Sequence, residues 1–122
     1  MIRTIVVFLL SAAFVAAAVL HFTQTAAFAS IVPAPLPAKI FLVQLTGAIE
    51  GVLGLLLLPP RTRALSGKLL ALYALAVLPA NIQHALDGTP IGSLHLPAWA
   101  LWLRVVLQAP LIALILWATK RR

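Results

Sequence analysis

The chain has 122 residues, 63% of them hydrophobic and only 9% charged, with a formal net charge of +7 and no cysteine. That balance leaves room for one membrane domain and none for a soluble one, and it excludes disulfides, thiolate metal sites and thiol redox chemistry. The positive charge would suit nucleic acid, but its distribution argues against that, because the Lys and Arg residues flank apolar runs as helix-end anchors rather than forming a patch on a folded surface.

Thr4–Phe22 is the first predicted span. A crossing helix needs about 20 residues at ~1.5 Å rise each. Ala12, Ala13, Ala16, Ala17 and Ala18 suit close helix approach in lipid. The segment follows Arg3 and ends at His21-Phe22. Met1-Ile2-Arg3, the apolar run and Ala27-Phe28-Ala29 before Ser30 also follow the order of a cleaved signal peptide. The run is longer than the roughly 7–15 residues of a signal core, so it reads as a retained span.

Thr23–Ala38 is the first loop. Pro33, Pro35 and Pro37 favour extended backbone and stop a helix. Phe28, Ile31, Val32 and Leu36 keep it apolar, which describes a short interfacial segment or a flap folded over the bundle.

Ile40–Leu58 is the second span. It carries Gly47, Gly51 and Gly54 on one face, a spacing that admits a neighbouring helix backbone beside Glu50. Glu50 is a lone carboxylate in an apolar run, with Gln44 nearer the start of the segment. Leu58-Pro59-Pro60-Arg61 is a stop.

Ala64–Leu86 is the third span. Pro79 removes a donor, frees the Leu75 carbonyl and predicts a kink. Asn81 and His84 follow it. Pro97–Thr119 is the fourth span, with Arg104, Gln108 one turn on, and Pro110 freeing Val106.

The basic residues alternate by side. Arg3, then Arg61, Arg63 and Lys68, then Lys120, Arg121 and Arg122 mark one face of the membrane. The loop before the fourth span has no Lys or Arg and carries Asp87, and the loop between the first two spans has only Lys39, at its far end. The positive-inside rule therefore predicts an all-α, four-helix integral membrane bundle with both termini cytoplasmic. The expected place is a cell membrane, the bacterial inner membrane, and the expected surroundings are the lipid bilayer.

With that topology, Glu50 falls about ten residues, or ~15 Å, below the outer surface. Gln44, Asn81, His84, Arg104, Gln108 and His21 fall in the same outer half, while the inner half is nearly all Leu, Ala, Ile and Val. One polar pocket is the expectation. Ionisable groups in hydrocarbon cost at least ~2.5–3.5 kcal/mol at mid-depth and seek partners, so Glu50 is expected to be ionised and to contact Arg104.

Plainer readings stand beside these. Glu50 with Arg104 also describes a structural clasp, and Gln44, Asn81 and Gln108 also describe groups that satisfy backbone freed by proline. His21, His84 and His95 show no ligand spacing for metal or haem. Tyr73, Trp99, Trp102 and Trp117 read as interface or packing aromatics. No Ser–His–acid spacing supports a nucleophile.

His21-Phe22, Ile31-Val32-Pro33 with Leu36-Pro37, Gly47-x-x-Glu50 with Gly54, Leu-Leu-Leu-Pro-Pro before Arg61, Pro79-Ala80-Asn81 with His84, and Arg104 with Gln108 occur in that order. Together they resemble the DoxX-like family of small four-helix membrane proteins. The resemblance implies a membrane subunit of a redox system, associated with quinone chemistry, alongside other membrane or redox subunits or a second copy. A bound quinone or lipid is the implied cofactor. No flavin, haem or iron–sulfur motif is present, so a complete oxidoreductase is not expected. Two other classes stay open: a proton-linked binder or transporter of small molecules, and a structural scaffold.

Overall fold

The computed structural model describes residues 1–121. Arg122, part of the basic C-terminal cluster, lies outside them. The elements are α1 (Ile2–Thr23), α2 (Thr25–Ala29), α3 (Lys39–Leu56), α4 (Pro60–Asp87), α5 (Ala98–Val106) and α6 (Gln108–Thr119). Among the described residues the only β pairing is an isolated bridge between Ile91 and Leu94. Ile2–Thr23, Lys39–Leu56, Pro60–Asp87 and Ala98–Thr119 are each long and apolar enough to cross a membrane.

The helix ends have local causes. α3 stops at Leu56, two residues short of the expected Leu58. Leu58 precedes Pro59, and a residue before proline is pushed out of the helical region. α4 begins at Pro60, earlier than the expected Ala64, because proline at the first helical position loses no needed hydrogen bond. It ends at Gly88, whose φ of 66° is the left-handed cap that glycine adopts freely. Pro79 lies inside α4 without ending it. The last span is interrupted at Leu107, between α5 and α6. Pro110 has no N–H to offer the Val106 carbonyl, so the ladder breaks there. The flanking bonds persist, Leu107 N–H to Leu103 O at 2.9 Å and Leu111 N–H to Leu107 O at 3.0 Å.

α1 packs chiefly against α3, and α4 against α6. The glycine face of α3 meets α1 at Phe14, Ala18 and His21. A Cβ at Gly47 would stand 2.7 Å from the His21 Cβ, closer than carbon atoms approach, so only glycine allows this spacing. The core of Val7, Leu10, Leu57, Leu70, Ile115 and Ala118 closes the end of the bundle that carries Arg3 and Lys120.

Large apolar side chains also cover the outside. Phe8, Leu9, Leu72, Trp99 and Val106 are each more than half exposed. Helices apolar on the outside as well as the inside suit lipid rather than water.

Candidate functional site

Opposite the closed core, the helices border an open-sided cavity of about 420 Å³. All four spans contribute to its wall: His21 from α1, Thr46 and Glu50 from α3, Tyr73 and Asn81 from α4, Arg104 from α5 and Gln108 from α6. Phe28 of α2 and the segment Ile31, Val32, Pro33 and Leu36 line it as well. The remaining wall is mainly aliphatic.

Polar groups form two clusters within this lining. The first surrounds Glu50, which is buried to 9% exposure. Tyr73 donates its hydroxyl to Glu50 Oε1 at 2.9 Å. His21 Nδ1 lies 3.5 Å from Glu50 Oε2. That nitrogen also lies 2.7 Å from the Ala17 carbonyl, which can only accept, so the Nδ1 proton points to Ala17. Glu50 Oε2 is left as a buried oxygen with no hydrogen-bond donor among the described residues. The His21 ring is held by a parallel stack on Phe28, 4.6 Å between centroids. Glycine at 47 is what lets α1 come close enough for His21 to reach the acid.

The second cluster surrounds Arg104. Its Nη2 donates to Asn81 Oδ1 at 2.8 Å. Its Nη1 lies 3.0 Å from His84 Nδ1. A guanidinium only donates, so His84 Nδ1 accepts and the ring proton sits on Nε2. Nε2 in turn donates to the Thr89 carbonyl at 2.7 Å. Asn81 and His84 are one turn apart on α4, which aims both acceptors at the same guanidinium fork.

The expected Glu50–Arg104 contact is not made. The only approach of a basic side chain to a carboxyl group within 4.0 Å among the described residues is His21 to Glu50. Tyr73 and His21 reach Glu50 first, while Asn81 and His84 occupy the Arg104 fork. The two charges share the cavity without a direct bond.

His21, Glu50, Asn81, Arg104 and Gln108 thus line one cavity. His84 is buried and touches Arg104 without lining the wall. Gln44 is exposed on α3. Its neighbour Val43 lies on the buried stripe with Gly47, Glu50 and Gly54, and one residue turns the helix by about 100°. Gln44 therefore does not belong with the site.

Tyr73 was readable only as a packing aromatic, yet it is the direct partner of Glu50. A signal existed: Tyr73, Val77 and Asn81 recur at i, i+4 and i+8, one face of a helix, and all line the cavity. Thr46 was also missed; it spends its hydroxyl on its own helix, on the Leu42 carbonyl at 2.9 Å. His95 is exposed and away from the cavity. Among the described residues no three His, Asp or Glu side chains converge as metal ligands.

Chemically, the cavity offers apolar walls, one unsatisfied carboxylate oxygen and a fixed guanidinium. A molecule that donates a hydrogen bond at one end and accepts at the other suits such a lining.

The fold and site define an all-helical protein with four helical spans long and apolar enough to cross a membrane, and with a largely apolar cavity between them that carries two polar clusters. Residues 10–122 match the family described as Domain of unknown function (DUF8561), and the chain belongs to that family. No curated protein and no solved structure matches it.

Proposed function

We propose that the chain is a multi-pass membrane protein, its termini cytoplasmic, that binds a small lipophilic molecule of the quinol and quinone class. In this reading it is a membrane subunit of a redox system in the bacterial inner membrane, related to the DoxX-like proteins. The observation that carries the reading is Glu50 Oε2, a buried acceptor facing the cavity with no donor from the protein. A buried polar atom left unpaired costs about 1–3 kcal/mol, and a ligand hydroxyl would remove that cost. The cavity volume of about 420 Å³ suits one aromatic ring with substituents. An apolar tail would leave between α2 and the helices toward the bilayer.

The test is titration of the purified chain with a short-tailed quinol and its quinone, followed by thermal stabilisation. The quinol should stabilise the protein. Arg104→Gln and Glu50→Gln should each weaken binding about 10- to 100-fold, the loss expected for a hydrogen bond to a charged group of about 1.5–3 kcal/mol. Absence of stabilisation by either compound refutes the reading and leaves the polar clusters as a structural clasp.

One observation favours the proton-linked alternative. Glu50 touches two further titratable groups, Tyr73 and His21, inside the bundle. Substrate-driven proton uptake into proteoliposomes, abolished in Glu50→Gln, would select it over the redox reading.

A further inference from the structure

We infer that the end of the bundle opposite the polar cavity holds a phosphate-binding cleft, whose ligand is the headgroup phosphate of an anionic phospholipid. A second concavity, about 530 Å³, opens there. Arg3, Arg61, Arg63, Lys120 and Arg121 line it. Neither acid of the described residues does, since Glu50 lies in the other cavity and Asp87 at the far end of α4.

Two of these cations are held in place. Arg3 Nη2 donates to the Trp117 and Lys120 carbonyls at 2.9 and 2.7 Å, and its guanidinium lies 5.8 Å from the Trp117 ring centre. Arg63 Nε and Nη2 donate to the Leu57 and Leu58 carbonyls at 2.8 and 2.6 Å. Each guanidinium caps the carbonyl end of a helix and keeps further N–H groups for another acceptor. Arg61, Lys120 and Arg121 are exposed, and their side chains have no ion-pair or hydrogen-bond partner among the described residues. α1 and α4 begin at this end of the bundle while α3 and α6 finish there, so the helix dipoles largely offset one another and the basic side chains set the field.

Scattered helix-end anchors would need only solvent. Here the cations wall a concave space, two of them immobilised and none neutralised, which is a receptor for a compact polyoxyanion. Depth decides the source of the phosphate. Trp117 stands under Arg3 and is 46% exposed, as an aromatic at the membrane interface is. Exposed Leu114 and Leu116 continue from it along α6, giving the acyl chains a surface to follow. The inference does not depend on what occupies the other cavity.

The test uses the full chain, delipidated in neutral detergent. It is titrated with short-chain phosphatidylglycerol, short-chain phosphatidylcholine and inorganic phosphate, and Trp117 fluorescence or native mass spectrometry reads binding. Phosphatidylglycerol should bind at least tenfold tighter than phosphatidylcholine, and the difference should shrink with added salt. The double variant Arg61→Gln/Lys120→Gln removes two exposed cations and should weaken phosphatidylglycerol about 25-fold, at about fivefold per charge. Lys39→Gln, at the opposite end, should change it less than twofold. Equal binding of the two lipids in the wild-type protein overturns the proposal without any variant. Equal loss in Lys39→Gln overturns it as well, by showing a net-charge effect. Inorganic phosphate displacing phosphatidylglycerol at equal concentration overturns the lipid source and makes the cleft a free-anion site.

Discussion

Replacing Gly47 by alanine tests the packing that builds the acid cluster. The new Cβ would meet the His21 Cβ at 2.7 Å. Carbon atoms in contact sit at about 3.5–4.0 Å, so roughly 0.8 Å of separation must come from movement. A Cβ is fixed to its backbone, so α1 itself has to shift. Overpacking of this kind costs about 1–3 kcal/mol. Alanine regains up to about 1 kcal/mol of helix propensity, which leaves a net loss. Gly51 is the control, because its Cβ would meet Ala18 Cβ at 3.1 Å, where a shift of about 0.4 Å suffices and propensity cancels the strain. Melting of the purified variants in detergent should therefore rank Gly47→Ala below wild type and Gly51→Ala close to it. Gly47→Ala should also bind the quinol more weakly, since moving α1 draws His21 from Glu50. A Gly47→Ala protein as stable as Gly51→Ala would refute the close-approach argument.

Tyr73→Phe removes the donor to Glu50 Oε1 and leaves both carboxylate oxygens without a protein hydrogen bond. It should destabilise by about 1–3 kcal/mol, read as a lowered melting temperature, whereas an unchanged melt would show that the hydroxyl contributes nothing. Gly88→Ala meets open space but must hold a φ of 66°, so a loss of about 1–2 kcal/mol with unchanged ligand binding is expected. Weakened binding in that variant would instead link the end of α4 to the cavity. Single cysteines replacing Thr62 and Pro90 in this cysteine-free chain should label from opposite sides of the membrane, Thr62 from the cytoplasm. Labelling of Thr62 from outside intact cells would refute the proposed orientation.

Much of the site was legible because helical spacing is regular. Glu50 and the three glycines share a face by position alone. Gln108 follows Arg104 by one turn, and Asn81 precedes His84 by one turn. Depth followed from where each apolar run begins. Gln44 shows the limit of depth as a guide: it lies near the others in height but is turned off the buried stripe by a single residue. Tyr73 shows the limit of residue class, since a tyrosine in an apolar run is ordinarily an interface aromatic.

The amino-acid sequence by itself determined that four helices form, and that they are apolar enough to cross a membrane. Run length, proline stops and hydrophobic content are local properties, and they act before any helix meets another. It also determined the alternation of basic charge along the chain. Only the tertiary structure decided which polar group meets which. Opposite charge predicted a Glu50–Arg104 bond, but Coulomb attraction favours any pair, and the bond goes to whichever donor packing brings within about 3 Å. The glycine face of α3 set α1 close enough for His21 to reach Glu50, and the rotation of α4 aimed Tyr73 at the acid and Asn81 and His84 at the guanidinium. Those positions depend on helix separation and rotation, quantities that no single helix encodes.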